Sequence, residues 1–219
     1  HPREEKKFFE LIERLIKNGK PFIADSILEP INFGFTDSLV RYQNLRKKFP
    51  DIEIMIGIGN ITELTHADTA GMNAILFGIA SELDINYALC TQVSEHCNKA
   101  IIEGNFARRI MHTTKQYNMP PKDISNKLLN LHERKPFPYS TEELKEMWGN
   151  VKDKNYRIYV NTDGIHVFNN KDFYTEKDAT ELYQYLDIKN DDGHAYYLGM
   201  ELAKAQIAFQ LGKRYDQDE

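Results

Sequence analysis

The stretch Ile54-Met55-Ile56-Gly57-Ile58-Gly59-Asn60-Ile61-Thr62-Glu63-Leu64 decides how this chain is read. An apolar strand enters a glycine-spaced polar turn and passes directly into a helix. Backbone N–H groups, an amide and a carboxylate are thereby gathered at the carboxyl end of a strand, where α/β proteins bind ligands. Gly57 and Gly59 let backbone approach a ligand closely, and a following helix start favours an anion. The pattern is neither a dinucleotide fingerprint, since Thr62 stands at the third glycine, nor a P-loop, which ends in Gly-Lys-Ser/Thr. The plain alternative is a tight strand-to-helix turn that needs small residues.

Outward from this turn, the first half of the chain alternates helix and strand. Phe8, Leu11, Ile12, Leu15 and Ile16 recur at helical spacing and stop at Gly19. Pro21 to Asp25 reads as a short buried strand ending in a carboxylate, and a long connection leads to a helix over 37–48. Strand 52–58 is followed by a helix with Met72, Ile75, Leu76, Ile79 and Leu83 on one face and Asp68 or Thr69 as N-cap. Asn86 to Cys90 is a third strand, and the next helix presents the small residues Ala100, Gly104 and Ala107 with Met111. Such alternation implies parallel strands joined by right-handed crossovers. A complete (β/α)8 barrel takes about 250 residues, so residues 1–116 read as the second half of a TIM barrel.

Residues 117–219 differ. Pro120, Pro121, Pro136 and Pro138 mark a linker around an expected short helix with Ile124, Leu128 and Leu131. Ser140-Thr141-Glu142-Glu143 is a capping-box start for a helix burying Leu144, Met147, Trp148 and Val151. Residues 156–160 and 165–168 alternate around Asn161-Thr162-Asp163-Gly164, a hairpin signal. An alanine-rich helix over 194–211 ends at Gly212. The expected fold is α/β, the C-terminal part of a barrel followed by a small α+β domain.

The 219 residues carry a net charge of −5 and no basic stripe, which argues against nucleic acid. No apolar run approaches the roughly 20 residues of a membrane span, and no secretory signal opens the sequence. Cys90 and Cys97 fit a reduced, cytoplasmic protein, and neither their spacing nor that of the seven histidines is a metal motif.

Candidate chemistry sits at the strand ends. Asp25, with Glu29 and Asn32 nearby, suits an amino-pyrimidine edge, because a carboxylate accepts two donors at once; the alternative is a loop cap. Asn60 offers a donor and an acceptor to a lactam-like edge, or serves the turn itself. Glu63 is a candidate ligand contact or a first-turn helix carboxylate. Thr91, Gln92, Ser94 and His96 follow the third strand and join the same rim if the strands lie side by side. His66 and Asp68 read as solvated loop. Cys97, in the first turn of a helix, is expected to have a somewhat lowered pKa while acting as a buried structural thiol. Arg108 and Arg109 read as a solvated helix face.

In order, these strand ends resemble the pterin-binding barrel family of dihydropteroate synthases and methyltetrahydrofolate–corrinoid methyltransferases. Ala24-Asp25-Ser26 through Phe33-Gly34-Phe35 is similar to that family's sixth strand and loop. Gly57-Ile58-Gly59-Asn60-Ile61-Thr62 resembles the methyltransferase turn at the seventh strand, and Asn73-Ala74-Ile75-Leu76 continues the likeness. Residues 153–158, 194–199 and 211–219 look like the C-terminal domain of dihydropteroate synthase-like proteins of methanogens and other tetrahydromethanopterin users. The resemblance implies a reduced pterin as substrate or ligand, held by Asp25, Asn60, Gly57 and Gly59. Glu29, Asn32, Glu63, Thr91, Gln92 and Ser94 are the implied substrate contacts. It further implies a transferase joining a dihydropterin methyl diphosphate to an arylamine with Mg2+ on the diphosphate. The partner would be a second copy, as in a homodimer, or the missing N-terminal half of the barrel. Synthases carry Ser-Arg-Lys where Gly59-Asn60-Ile61 stands, and Arg-x-His where Thr91-Gln92-Val93 stands. Methyl transfer from a tetrahydropterin to a corrinoid partner, or non-catalytic pterin binding and assembly, are therefore the alternatives.

Overall fold

The computed structural model describes residues 4–189 and 191–218, which form two compact units, 1–128 and 129–219. Unit 1 contains α1 (Glu5–Lys17), α2 (Phe35–Lys48), β1 (Met55–Gly57), α3 (Gly59–Thr62), α4 (Thr69–Glu82), β2 (Tyr87–Leu89) and α5 (Ala100–Tyr117). Unit 2 contains α6 (Thr141–Gly149), β3 (Arg157–Asn161), β4 (Gly164–Phe168), β5 (Phe173–Glu176), α7 (Ala179–Leu182) and α8 (Asp192–Leu211). The protein is α/β, with small sheets and no closed barrel among the described residues.

In unit 1, β1 pairs in parallel with β2, Met55 opposite Tyr87 and Gly57 opposite Leu89. On the other side of β1, Ala24 forms an isolated parallel bridge with Ile54. Residues 21–25 are thus extended and in the expected place, but one bridge is their whole pairing. Ile54, Ile56 and Ile58 are all buried, as expected of a parallel strand covered by helices. β2 differs: Tyr87 is 46% and Leu89 54% exposed, and its outer edge is unpaired among the described residues.

The helices pack as their small residues predict. α4 and α5 meet where a Cβ on Gly104 would lie 3.0 Å from the Phe77 ring, so a larger residue would push that ring aside. Ala100 and Ala107 are buried on the same face. Ile75 is 66% exposed, so the apolar face of α4 is centred on Leu76, Phe77 and Ala80 rather than on Ile75.

At the amino ends of the strands, Arg46 gathers several chain segments. Its guanidinium donates to the carbonyls of Pro50 (2.7 Å), Ile52 (2.9 Å), Leu83 (3.0 Å) and Asp84 (2.6 Å). Asn86 adds a side-chain acceptor for the Ile54 N–H. The end of α2, the entry to β1, the end of α4 and the entry to β2 are fixed by one side chain.

In unit 2 the sheet order is β3-β4-β5, antiparallel, with Tyr159 opposite His166 and His166 opposite Thr175. Ser140 and Glu143 form the expected capping box of α6. Trp148 donates to the Asn169 carbonyl and packs on Phe173, which stacks on Phe168 and, through it, on Tyr159. The opposite face of the sheet, with Ile158, Val160, Ile165 and Val167, shares a core with Leu198, Leu202 and Ala205 of α8. Gly212 ends α8 in the left-handed conformation at φ 61°. The expected helix with Ile124, Leu128 and Leu131 does not form. Those residues adopt turns and bends, with Asp123 at φ 64° breaking the helical path just before Ile124. Glu219, the last residue of the tail motif, lies outside the described residues.

Two outcomes follow. Arg46→Met is expected to destabilise the protein by about 2 kcal/mol or more, since it strips several carbonyls of a charged donor. Arg46→Lys should recover little, because an ammonium cannot reproduce the guanidinium fork; urea unfolding checks both. His166 is buried, bonds Asn161 Oδ1 and Thr175 Oγ1, and burial lowers its pKa from the usual 6.5. Its contribution to stability is therefore complete above about pH 6.5 and declines as pH falls below it. Thermal unfolding followed at Trp148, the single tryptophan, should show this loss between pH 7 and 5 and a flatter profile in His166→Gln.

Candidate functional site

The rim at the carboxyl ends of the strands is built from three connections. The first follows Ala24. Asp25 Oδ1 accepts from the Ile27 N–H at 2.8 Å and from the Tyr42 hydroxyl at 2.6 Å. Asp25 Oδ2 carries no hydrogen bond among the described residues, and the residue is half-buried. Tyr42 is fully buried, and burial together with the Asp25 carboxylate keeps its phenol protonated far above the usual range. Ile27 stands at φ 60°, a strained position for a β-branched residue. Arg41 holds the strained turn by donating to the Ile27 carbonyl at 3.0 Å and the Ser26 carbonyl at 3.3 Å.

Glu29 turns away from this edge. It is buried, pairs with Arg41 at 3.6 Å, and packs so tightly on Gly34 that a Cβ there would overlap its carboxylate. Gly34 also sits at φ 115°, which glycine alone adopts freely. Asn32 is an exposed turn residue at φ 66°. Glu29 thus lines a separate hollow with Phe33, Gly34 and Arg41, and neither Glu29 nor Asn32 lines the cavity at Asn60.

The second connection follows β1. The strand ends at Gly57, one residue before the expected Ile58, and α3 is a single turn of four residues. The long helix starts only at Thr69, with Asp68 at its N-cap making no side-chain cap bond. The expected anion-holding helix start directly after the glycines is therefore absent; a four-residue turn carries little dipole. Asn60 Nδ2 donates to the Leu28 carbonyl at 2.7 Å, tying the second connection to the first. Gly59 is buried against Thr91, and a Cβ would collide with the Thr91 side chain.

The third connection follows β2. Glu63 reaches across to accept from the N–H of Val93 (2.8 Å) and of Ser94 (2.9 Å). Hydrogen bonds from the Ser94 side chain and these two amides hold its carboxyl down at about 2. Gln92 is exposed. His96 donates to the Thr62 carbonyl at 3.0 Å, and His66 is exposed against the His96 ring. Cys97 is buried and bonds the Thr62 carbonyl, as a structural thiol should. Its pKa is raised, not lowered: burial dominates and the Glu63 carboxylate adds to it, while the turn it occupies is a short 3₁₀ segment. Arg108 bonds Asn105 on an exposed helix face.

The structure thus brings Gly57, Gly59, Asn60, Glu63 and Thr91 together around one cavity of about 360 Å³, roofed by Leu64, Leu89 and Val93. Asp25 lies one strand away on the same rim. Tyr42 and Arg41, which orient the Asp25 turn, were not among the expected site residues. The signal for Tyr42 was its place on the apolar face of α2 with Leu39 and Leu45: a buried phenol needs a partner. No group of three or more His, Cys, Asp or Glu side chains suited to a metal occurs among the described residues. The one carboxylate in the cavity, Glu63, is already spent on two amides, so the donor set does not fit a protein-held Mg2+.

Residues 149–218 match the family model described as PterinBD-DUF4346. The match points to a pterin-binding-domain family. The chain is also similar to the uncharacterized protein MJ0107 of Methanocaldococcus jannaschii, 30% identical over 240 residues that cover 97% of this chain and 45% of that protein. The chain thus spans about half the length of that relative. No solved structure matches at a significant level. No helix among the described residues is long and apolar enough to cross a membrane.

Glu63 clamps two connections, and its stabilising effect is complete above its ordinary pKa of 4.5 and lost as pH falls toward about 2. Glu63→Gln, which keeps the shape but loses one acceptor and the charge, should speed amide hydrogen exchange at Val93 and Ser94 while leaving the amides of α5 protected.

Proposed function

We propose that unit 1 binds a reduced pterin at the carboxyl ends of its parallel strands. The observation that carries this reading is Asp25: Tyr42 and Ile27 fix one carboxylate oxygen and leave the other open at a strand end. An open carboxylate oxygen of fixed direction suits the amino-pyrimidine edge of a pterin. Asn60, Gly57 and Gly59 border the adjoining cavity, where backbone and amide groups are within reach of the rest of the ring. The sequence resemblance of unit 1 supports the same ligand, and the family match, which covers residues 149–218 of unit 2, names a pterin-binding-domain family. Catalysis at such a rim would rest on positioning; Asp25 and Asn60 orient the ring so that its exocyclic methylene faces the second substrate.

The pathway reading is synthesis of a tetrahydromethanopterin-type, folate-like carrier. A dihydropterin methyl diphosphate is joined to an arylamine: the C–N bond forms as the C–O bond to diphosphate breaks. A second reading, methyl transfer from a tetrahydropterin to a corrinoid partner, is favoured by one observation. Residues 57–64 and 91–98 contain no Lys or Arg to receive a diphosphate. In either reading the unpaired edge and exposed residues of β2 belong against further strands, from a second copy or from the remaining half of a barrel. A protein that acts this way would work in the cytoplasm.

Titration calorimetry with 6-hydroxymethyl-7,8-dihydropterin tests the ligand. Asp25→Asn is expected to weaken binding about tenfold or more, the loss of a charge-assisted hydrogen bond, with little change in melting temperature. Asn60→Ala should weaken binding and also loosen the loop at Leu28. A folded protein that binds no pterin, both alone and with a completed sheet, would sink the proposal.

A further inference from the structure

The three tail segments singled out in the sequence, 153–158, 194–199 and the described part of 211–219, meet in unit 2 around one cavity of about 450 Å³. Part of that convergence is structural. The Gln217 side-chain amide docks on the free edge of β3, accepting from the Ile158 N–H at 2.9 Å and donating to the Tyr156 carbonyl at 3.2 Å. It also donates to the Tyr197 hydroxyl, which in turn donates to Asp218 Oδ1 at 2.6 Å. These bonds close the edge and explain Gln217.

They do not explain Asn155 and His194, which line the same cavity. Neither side chain makes a hydrogen bond among the described residues, and the nearest acceptor to His194 Nδ1 is Asp191 at 3.9 Å. The Tyr156 hydroxyl accepts from the Asp187 N–H, which leaves its proton unused. Asp218 Oδ2 is likewise open. The residues lining the cavity therefore include an amide, an imidazole and a carboxylate oxygen without internal hydrogen bonds. Its walls include the rings of Tyr156, His194 and Tyr197, set edge to face at 6.3 Å. Arg157 is occupied by a two-point pair with Asp153, which leaves the Asp218 carboxylate as the uncompensated charge among the lining residues.

A lining that offers an amide, an imidazole and a carboxylate, with no free cation and flanked by aromatic rings, matches vicinal hydroxyls, each of which both donates and accepts. Aromatic rings suit the C–H faces of such a ligand. We propose that this cavity is a second binding site, for a neutral polyhydroxylated ligand such as a sugar or sugar alcohol. The site is independent of the pterin reading.

The test is titration of the full chain with D-ribose, ribitol and D-glucose, followed by 1H–15N spectra. Saturable shifts at Tyr156, Arg157 and Gln217 at millimolar ligand are expected for at least one of the three. His194→Ala and Asn155→Ala, which break no internal hydrogen bond, should each weaken that binding by roughly tenfold and leave the free spectrum otherwise folded. Shifts that do not saturate, or that survive both substitutions, would overturn the proposal. So would binding only of inorganic phosphate or methylamine, which would assign the cavity to a charged ligand.

Discussion

Unit 1 depends on a single cation at the end opposite its rim. Strands that pair over three residues cannot fix their own register, because so short a ladder leaves little to choose between slips. Arg46 supplies what the ladder lacks. By binding the carbonyls of Ile52, Leu83 and Asp84 at once, it sets where the two strands begin relative to each other. Once the amino ends are level, Gly57 and Leu89 finish opposite each other, and the connections that follow start from a common plane. The rim geometry is a consequence of that levelling.

At the rim, most of the polar groups that look like ligand contacts are first used on the protein. Asn60 holds Leu28, Glu63 holds Val93 and Ser94, and Glu29 holds Arg41. This is what a polar loop cluster without a long sheet requires, since each unsatisfied buried backbone group would cost free energy. The consequence for binding is preorganisation: loops already cross-linked lose little further entropy when a ligand arrives. The strain at Ile27 has the same logic. A β-branched residue at φ 60° persists only because Asp25 and Arg41 grip both sides of its peptide group. That grip is what aims the Asp25 carboxylate.

Sequence periodicity exposed the alternation of helix and strand, the small-residue contact of α5, the capping box of α6 and the hairpin of β3 and β4. Each of these is written in local spacing. What stayed hidden is carried by long-range pairing. Nothing near Arg46 announces that its partners lie as far on as residue 86. Glu63 reads as a helix-start carboxylate until the loop at Val93 is seen to fold back on it. The somewhat lowered pKa expected of Cys97 came from counting its position from an α-helix start, whereas a 3₁₀ turn, burial and a neighbouring carboxylate decide its chemistry. The helix expected near Leu128 failed because three apolar residues at helical spacing do not outweigh a left-handed Asp123 just before them.

The two units treat their sheet edges in opposite ways, and the difference bears on function. Unit 2 blunts the edge of β3 from within, with the Gln217 amide standing in for a missing strand. Unit 1 has no such device at β2: its residues are exposed and its outer N–H and C=O groups are unpaired among the described residues. An edge left both open and apolar, in a chain that elsewhere guards its edge with a specific side chain, is a surface shaped for pairing. The cavity beside Gly59 and Thr91 is bordered by Leu89 of that edge and by Val93 of the connection after it. In the proposed assembly a strand added to β2 would adjoin that cavity, and sheet completion and pterin binding in unit 1 would then be thermodynamically linked.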